Sequence, residues 1–414
     1  MLAHAMVHTY ELSVPIFVTI WLAEFETIQF AGLQVGVTEA TLGLVVTAGY
    51  GLFGLGALPG GVLVDRIGSR RLISLCLFGM GGAFLLLGAA PGLVAVAVAL
   101  LLWGASASVY HPAGLTLLSK GVEKRGTGFA YHGMAGNLGI GLGPLVTAVL
   151  LLFLDWTAVA ALLAIPALAA GVYATRAQFD ETAAVTATDG GESRAGGGVS
   201  SLAEFLVESK TLFGGLFVAV FAIVMCSGLY YRGVLTFMPN LLEGLPGFEP
   251  IPLDSLVPGV DGGRTIHPER YFYSGLLIVG VVGQYVGGKL TDRMPAEYGI
   301  VATFAGLAVI ALLFLPAASL GVGPLLVLGA ALGFFLFFAQ PFYQATVAEY
   351  TPADTRGLSY GYTYLGVFGV GSLGGAVAGG ILAYANPQTL FFALAGFASV
   401  ALLIGVYLVR VRSA

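Results

Sequence analysis

Charged residues are scarce in this sequence. Only 9% of its 414 residues are Asp, Glu, Lys or Arg, whereas 57% are hydrophobic, and the mean hydropathy is +0.92. An ordinary soluble domain is about 25% charged, and a soluble chain this apolar would have too little polar surface to stay dispersed. The apolar runs are continuous rather than alternating. The composition therefore excludes an ordinary soluble domain and predicts an all-α integral membrane protein.

Cysteines and catalytic motifs are scarce too. The two cysteines, Cys76 and Cys226, lie inside apolar runs, which predicts inert packing rather than a disulfide framework or a metal cluster. The sequence has no phosphate-binding loop of the G-x-x-x-x-G-K-[ST] type, no serine elbow and no zinc motif. We therefore expect no enzyme, no ATP-driven pump, no cofactor, no metal site and no nucleic-acid partner. The first apolar segment has no basic region before it, so we expect a retained helix rather than a cleaved signal.

Long apolar segments are abundant. A helix needs about 20 apolar residues to cross the hydrocarbon core of a bilayer, and by this length criterion the sequence predicts twelve membrane-spanning helices. Gly, Pro and charged clusters mark their ends. The predicted spans are residues 5–31, 39–64, 71–90, 92–119, 127–153, 156–176, 211–242, 271–291, 298–316, 320–349, 356–384 and 387–410.

The basic residues indicate an orientation. If the N-terminus is cytoplasmic, all of the 17 Lys and Arg residues except Arg232, Arg264 and Arg270 fall on the cytoplasmic side. This distribution follows the positive-inside rule. We therefore expect a multi-pass protein of the cytoplasmic membrane with both termini in the cytoplasm.

A polar, Gly-rich stretch separates two groups of six spans. We expect an N-terminal six-helix bundle over residues 1–176, a flexible cytoplasmic linker over 177–210 and a C-terminal bundle over 211–414. The Pro-rich segment 243–270 within the second bundle is predicted to form an irregular extracytoplasmic loop. The protein is expected to be a monomer in the lipid bilayer.

The two halves repeat one another. Asp65 recurs as Asp292, Pro112 as Pro341, and an Arg-Gly pair follows each proline, all at nearly one spacing and in one order. Duplicated halves with a central binding site are typical of secondary transporters. The repeat therefore predicts two pseudo-symmetric bundles around one site.

The segment after the second span resembles the G-x-x-x-D-R-x-G-R-[RK] signature of the major facilitator superfamily, with a shorter copy after the eighth span. The first copy consists of Gly61, Asp65, Arg66, Gly68 and Arg70, and the second of Gly288, Asp292 and Arg293. Ser69 replaces the first basic residue after the second glycine. The resemblance implies the twelve-helix major facilitator fold, with helices 1, 4, 7 and 10 around a central cavity.

The resemblance also implies charged cytoplasmic latches that hold the outward-facing state and are released in the inward-facing state. In this family the loop Asp lies against a helix N-terminus, where the helix dipole favours an anion. The residues expected to gate transport are Asp65, Arg66, Arg70, Arg125, Asp292, Arg293, Glu349 and Arg356.

A narrower resemblance lies in the fourth and fifth spans. The sequences "YHPAG" and "RGTGFAYHGMAGNLGIGLGPLV" are similar to the fosmidomycin-resistance-like branch of drug exporters. Ala113 stands where members of that branch carry an acidic residue. Gly139, Gly141, Gly143 and Pro144 also resemble part of the antiporter motif of the fifth helix, which would pack closely against the eighth helix. These features favour export.

A stripe of three titratable residues opens the first span. His4, His8 and Glu11 share one helical face, and a charged group inside a span costs about 2.5–3.5 kcal/mol. Such residues usually face a cavity or a partner. Four interpretations remain open: simple hydrogen bonding, proton coupling by Glu11 with help from His8, a two-His-one-carboxylate metal site, and direct contact with substrate. We expect proton coupling.

Arg232 is the one basic residue well inside a span. A buried guanidinium needs an anion, which is either Glu11 across the cavity or an anionic substrate; the remaining alternative is a peripheral position facing water. Aromatic walls with a few amides suit an organic ligand. The predicted substrate-binding residues are Tyr110, His111, His132, Asn137, Tyr231, Arg232, Gln340, Tyr343 and Gln344.

These features predict a secondary active transporter that moves a small organic compound by alternating access. Proton-coupled efflux by antiport is our first hypothesis, because of the sequence of the fifth span. Proton-coupled uptake of an organic anion by symport is the alternative, because of Arg232. A membrane receptor would need a sizeable folded sensor domain, and the sequence contains none.

Overall fold

The computed structural model describes residues 1–30, 32–184, 202–256, 263–351 and 356–413. Within them, eleven helical segments are long and apolar enough to cross a membrane. The twelfth crossing is the helix Pro268–Thr291, which is 24 residues long but carries Glu269, Arg270 and Lys289. The predicted twelve-helix architecture in two bundles is confirmed.

The N-terminal half contains six crossings built from eight helices. Glycine interrupts the second crossing at Gly56, and the fourth is interrupted ahead of Pro112, whose ring removes a backbone donor. The helices are α1 (Leu2–Glu24), α2 (Glu39–Leu55), α3 (Ala57–Ile67), α4 (Ser69–Gly88), α5 (Leu93–Ala107), α6 (Tyr110–Gly121), α7 (Arg125–Leu150) and α8 (Trp156–Arg176).

The C-terminal half repeats this plan after a short helix. That helix, α9, occupies the end of the predicted linker and packs on α15 through Phe205 and Ser209 against Tyr362. The helices are α9 (Leu202–Phe213), α10 (Phe217–Leu235), α11 (Met238–Glu243), α12 (Pro268–Thr291), α13 (Ala296–Ser319), α14 (Val322–Glu349), α15 (Arg356–Tyr364), a π-helical segment (Leu365–Val370), α16 (Leu373–Tyr384) and α17 (Pro387–Ser413).

The predicted extension of the first span to residue 31 is wrong. Helix α1 ends at Glu24, and strands β1 (Thr27–Phe30) and β2 (Leu33–Gly36) form an antiparallel hairpin. The segment is apolar but rich in β-branched and aromatic residues, and Gly32 has a φ of 81° that suits a turn. A second small hairpin, β3 (Ile251–Pro252) with β4 (Thr265–Ile266), lies in the predicted extracytoplasmic loop.

An even number of crossings places both chain termini on one face, which we call the terminal face; the other is the far face.

Near the far face, the backbones of α2 and α16 are in direct contact. A Cβ atom added to Gly379 would lie 2.2 Å from the carbonyl oxygen of Glu39. Farther along the same interface, a Cβ on Gly54 would lie 1.9 Å from the nitrogen of Gly369. This glycine seam closes the far face between the two halves.

Widening the seam should open the far face. Gly379→Val inserts a side chain against the Glu39 backbone, and overpacking costs about 1–3 kcal/mol, enough to change a two-state population by about tenfold. A cysteine in place of Thr47, a buried residue whose hydroxyl donates to the Ser372 carbonyl, should then react about tenfold faster with a water-soluble thiol reagent.

Gly380→Val is the matched control for this experiment. Gly380 is the next residue on the same helix, and a Cβ there would meet no atom within 4 Å. It should leave the labelling rate unchanged, with the native cysteines replaced by serine in every variant. Equal rates for the two valine variants would show that the seam does not close the far face.

Candidate functional site

A cavity of about 230 Å³ lies between the two halves and toward the terminal face. Its lining residues come from the terminal-face parts of α1, α7 and α14, from α6, α15 and the π-helical segment, and from the inner parts of α10 and α12. Among the described residues, none from the third of each crossing nearest the far face lines the cavity. The structure therefore has a binding space that is closed toward the far face.

Glycines of α7 position the histidine stripe of α1. A Cβ on Gly139 would lie 2.1 Å from the carbonyl oxygen of Ala5, and one on Gly143 would lie 2.7 Å from the Cα of Thr9. The two helices therefore pack closely, and His4 comes to lie against Gly136. The sequence predicts this close approach for α7 and the eighth span, but of these glycines only Gly141 faces α12, through Ile278.

Glu11 and Arg232 join the two halves through an ion pair. The Arg232 guanidinium donates to Glu11 Oε1, and each residue is only 1% exposed. The guanidinium also lies 3.6 Å from the ring centroid of Tyr50, a cation–π contact. The hydroxyl of Tyr50 donates to the main-chain carbonyl of Glu11. Arg232 is thus not peripheral, and its counter-charge in this structure is Glu11.

The guanidinium keeps spare hydrogen-bonding capacity. Its Nε is buried and has no hydrogen-bond partner within the described residues. Tyr231, the neighbouring residue, lines the cavity and places its ring 5.2 Å from the guanidinium carbon. Arg232 itself is not one of the lining residues; it lies behind Glu11 and Tyr231, which line the cavity, and its unused donor is suited to bind a second anion once those side chains move.

The histidines form a hydrogen-bonded line from the terminal face to Glu11. Nδ1 of His4 lies 2.8 Å from the carbonyl oxygen of His132. Nε2 of His4 lies 3.1 Å from Nε2 of His8, and Nδ1 of His8 lies 2.6 Å from Oε2 of Glu11. All three histidines are less than 10% exposed. The sequence places His4 in the same stripe but assigns the proton-coupling role to Glu11 and His8 alone; the structure adds His4 to their hydrogen-bonded line.

His111 completes a group of imidazoles around the cavity. The ligating nitrogens of His4, His8 and His111 lie within 4.8 Å of one another, and imidazole is a donor that suits transition metals. The nearby carboxylate, Glu11, is already engaged by Arg232 and His8. The facial triad of two histidines and one free carboxylate is therefore not formed among the described residues.

Most of the predicted substrate-binding residues converge on the cavity. Tyr110 lies behind it, with its hydroxyl 3.5 Å from Nδ1 of His132. The predicted residues that line the cavity are His8, Glu11, His111, His132, Asn137, Tyr231, Gln340, Tyr343 and Gln344.

The sequence analysis missed several lining residues. The Gln284 side chain donates to Gln340 across the cavity at 3.1 Å. An amide inside an apolar run is a sequence feature from which a lining residue could have been predicted. Ser227, Phe337, Tyr364 and Phe368 also line the cavity. Apolar and aromatic residues carry no such signal, because those types occur throughout the spans.

The comparisons with known proteins agree with this architecture. The family model of the Major Facilitator Superfamily matches residues 12–366 and 270–414. The chain belongs to the major facilitator superfamily. Its members are transporters, so the expectation that this protein is not an enzyme is confirmed. The narrower resemblance to fosmidomycin-resistance-like exporters stays a prediction.

Within the major facilitator superfamily, two curated relatives and a solved structure are informative. A gallate transporter of Pseudomonas putida is 27% identical over 394 residues, covering 87% of this chain and 81% of that protein. A puromycin resistance protein of Streptomyces alboniger is 32% identical over 126 residues, covering 30% of this chain and 25% of that protein. A nucleoside transporter structure has a TM-score of 0.69 at 14% identity, covering 98% of both chains, which shows the shared fold alone.

The superfamily signature of the first half contacts the start of the predicted linker. The Glu181 carboxylate accepts the main-chain N–H groups of Ser69 (2.7 Å) and Arg70 (3.1 Å) at the N-terminus of α4, where the helix dipole favours an anion. The Arg70 guanidinium donates to the carbonyl of Ala177 at 2.9 Å. Arg66 is exposed and has no ion pair within the described part of the chain.

The C-terminal half of this major facilitator protein has its own charge cluster. The Arg412 guanidinium donates to both Glu297 and Glu349, and Tyr350 donates to Glu297 at 2.6 Å. Burial, and then the hydrogen bond to Glu297, raises the pKa of Tyr350. In this structure Glu349 is therefore engaged within the C-terminal half.

Of the remaining gating residues, only Asp292 and Arg293 have described side chains, and neither forms an ion pair with another described residue. Asp292 and Arg293 are exposed at the end of α12. The side chains of Asp65, Arg125 and Arg356 lie outside the described residues, although their backbones belong to α3, α7 and α15. The resemblance implies that the latches form in the outward-facing state, whereas the cavity of this structure is closed toward the far face. The gating role therefore stays a prediction.

Proposed function

We propose that this major facilitator protein couples proton entry to the uptake of a small organic anion across the cytoplasmic membrane, with the terminal face in the cytoplasm. The observation that carries the proposal is the buried ion pair between Glu11 and Arg232. The sequence analysis ranked efflux first and symport second. The geometry of the pair favours symport.

The reason is competition for one guanidinium. While Glu11 is ionised, it occupies Arg232, and a substrate carboxylate would have to displace it. A proton on Glu11 removes the charge and frees Arg232 for a bidentate contact with the substrate. Proton and anion therefore bind together, which is the requirement for symport. A cationic substrate would instead have to compete with Arg232 for Glu11.

The composition of the cavity supports a small aromatic carboxylate. Arg232, directly behind the lining residues Glu11 and Tyr231, supplies positive charge, and the imidazoles together with Gln284 and Gln340 supply hydrogen-bonding groups. The tyrosine and phenylalanine side chains supply flat apolar walls. A volume of about 230 Å³ lies below the range of about 300–1,000 Å³ that is usual for drug-sized ligands. The relative named a gallate transporter suggests gallate as the first probe.

The ion pair also links the binding of proton and substrate to the movement of the two halves. Glu11 lies on α1 in the first half and Arg232 on α10 in the second, so the pair bridges the two bodies that rock against each other in alternating access. Replacing this bridge by a substrate carboxylate and a proton keeps the cavity neutral. The halves can then separate with substrate bound, but not with one unpaired charge exposed to the apolar interface.

Efflux by antiport is the second candidate. The close glycine packing of α7 against α1 and the partial similarity to a puromycin resistance protein favour it. A cationic drug would then bind at Glu11 in exchange for a proton. The two candidates differ in where the substrate accumulates.

Purified protein in liposomes with an imposed pH gradient separates the candidates. Symport should concentrate radiolabelled gallate on the alkaline side, with benzoate as a competitor, and puromycin should not be moved. Antiport should concentrate puromycin on the acidic side. This readout does not depend on how the protein inserts. Accumulation of puromycin on the acidic side without movement of gallate would overturn the proposal.

A further inference from the structure

We infer that His4, His8 and Glu11 form a two-step proton relay that stores one proton and moves it without moving any side chain. The inference rests on the proposed proton coupling at Glu11 and adds a route for the proton. It follows from three hydrogen-bond distances and from which atoms can donate.

The tautomer of His4 is fixed by the backbone of α7. Nδ1 of His4 lies 2.8 Å from the carbonyl oxygen of His132, and a carbonyl oxygen accepts only, so Nδ1 carries a hydrogen. The His4 ring also stacks on the His132 ring with centroids 3.9 Å apart, which holds its orientation. In a neutral His4, Nε2 therefore presents a lone pair.

The same reasoning fixes His8 while Glu11 is ionised. Nδ1 of His8 lies 2.6 Å from Oε2 of Glu11, and a carboxylate accepts only. Nε2 of a neutral His8 therefore also presents a lone pair, and it faces Nε2 of His4 at 3.1 Å. Two lone pairs repel at this distance. The contact is a hydrogen bond only if one further proton lies between the two rings.

That proton has two positions in the same heavy-atom frame. In the first form His4 is an imidazolium that donates from Nε2 to His8, and His8 donates from Nδ1 to the Glu11 carboxylate. In the second form the His4 Nε2 proton has moved to His8 Nε2, and the His8 Nδ1 proton has moved to Glu11 Oε2. His4 and His8 are then neutral and Glu11 is a neutral acid. Proton number and total charge are the same in both forms.

The surrounding charges decide between the two forms. Arg232 stabilises ionised Glu11 and so favours the first form. A substrate carboxylate at Arg232 cancels that effect and favours the second form. The other titratable groups that surround the relay are the amino group of Met1, His111, His132, Tyr50, Tyr110, Tyr231, Tyr273, Tyr343 and Tyr364.

Nitrogen NMR of protein labelled with ¹⁵N-histidine tests the relay without any substrate. Single His→Gln variants assign the signals of the rings, and His267 in the extracytoplasmic loop serves as an internal control. At neutral pH we expect one of the facing Nε2 atoms of His4 and His8 to be protonated and the other to accept. Finding both Nε2 atoms unprotonated would overturn the relay, because the rings would then hold no stored proton.

Transport of gallate in proteoliposomes gives the second measurement. His4→Gln keeps a donor for the His132 carbonyl but cannot pass a proton on. We expect both His4→Gln and His8→Gln to lower the ratio of gradient-driven accumulation to gallate exchange at least about tenfold. His111→Asn, at an equally buried cavity position outside the line, should lower both rates together and leave the ratio within about twofold.

The outcomes separate the relay from the proposed function. If His4→Gln keeps the ratio while His8→Gln and Glu11→Gln lose it, the route through His4 is wrong and coupling at Glu11 stands. If Glu11→Gln also keeps the ratio, the proposed coupling fails. If His4→Gln and His8→Gln both lower the ratio, the relay is supported.

Discussion

Glu11→Gln should abolish the accumulation of gallate driven by a pH gradient while exchange of labelled for unlabelled gallate continues. Glutamine has the shape of the protonated acid and carries no charge, so it leaves Arg232 permanently available to the substrate. The loaded carrier can therefore still change conformation, but it no longer carries a proton with it. We expect the steady-state concentration ratio across the membrane to fall to about one, measured with radiolabelled gallate in proteoliposomes.

Glu24→Gln is the matched control, because it makes the same substitution on the same helix. Glu24 is exposed near the far face, where it accepts the indole N–H of Trp156, and it has no contact with the cavity. Accumulation and exchange should both remain close to those of the unaltered protein. Undiminished accumulation by Glu11→Gln would remove Glu11 from the coupling mechanism and leave the fold assignment untouched.

The number of crossings was predictable because apolar length is a strong signal in a bilayer. Every backbone donor and acceptor in the hydrocarbon core has to be satisfied within a helix, so runs of about 20 apolar residues have few other structures available. Some interruptions inside the crossings were not predictable. The π-helical segment Leu365–Val370 and the break after Leu235 depend on neighbouring helices that the local sequence does not specify.

The site was predictable only in part, for a similar reason. Glu11 and Arg232 stand out because a charge inside a span is costly, but their pairing depends on the approach of α1 and α10 from different halves. His4 lies on the same helical face as His8 and Glu11, but the sequence does not show that it contacts α7. Its role depends on Gly136 and Gly139, which allow α1 to pack against α7. Such contacts are a property of the assembled bundle.

Arg232→Met should destabilise the protein strongly, and Glu11→Gln in the same chain should restore most of the stability. Methionine fills much of the space of arginine but leaves the Glu11 carboxylate buried without a counter-charge. Breaking a buried pair in this way costs about 3–5 kcal/mol, whereas replacing both partners is often close to neutral. The thermal unfolding midpoint in detergent should therefore fall for the single variant and recover in the double variant.

Gallate binding should not recover with stability, and this separation tests the anchoring role of Arg232. The double variant has a neutral, folded cavity but no guanidinium for the substrate carboxylate, so gallate should no longer raise its unfolding midpoint. The loss of stability in Arg232→Met should also be smaller at acidic pH, because a protonated Glu11 needs no partner. If the double variant is stabilised by gallate as much as the unaltered protein, Arg232 serves only as the partner of Glu11, and the substrate carboxylate binds elsewhere in the cavity.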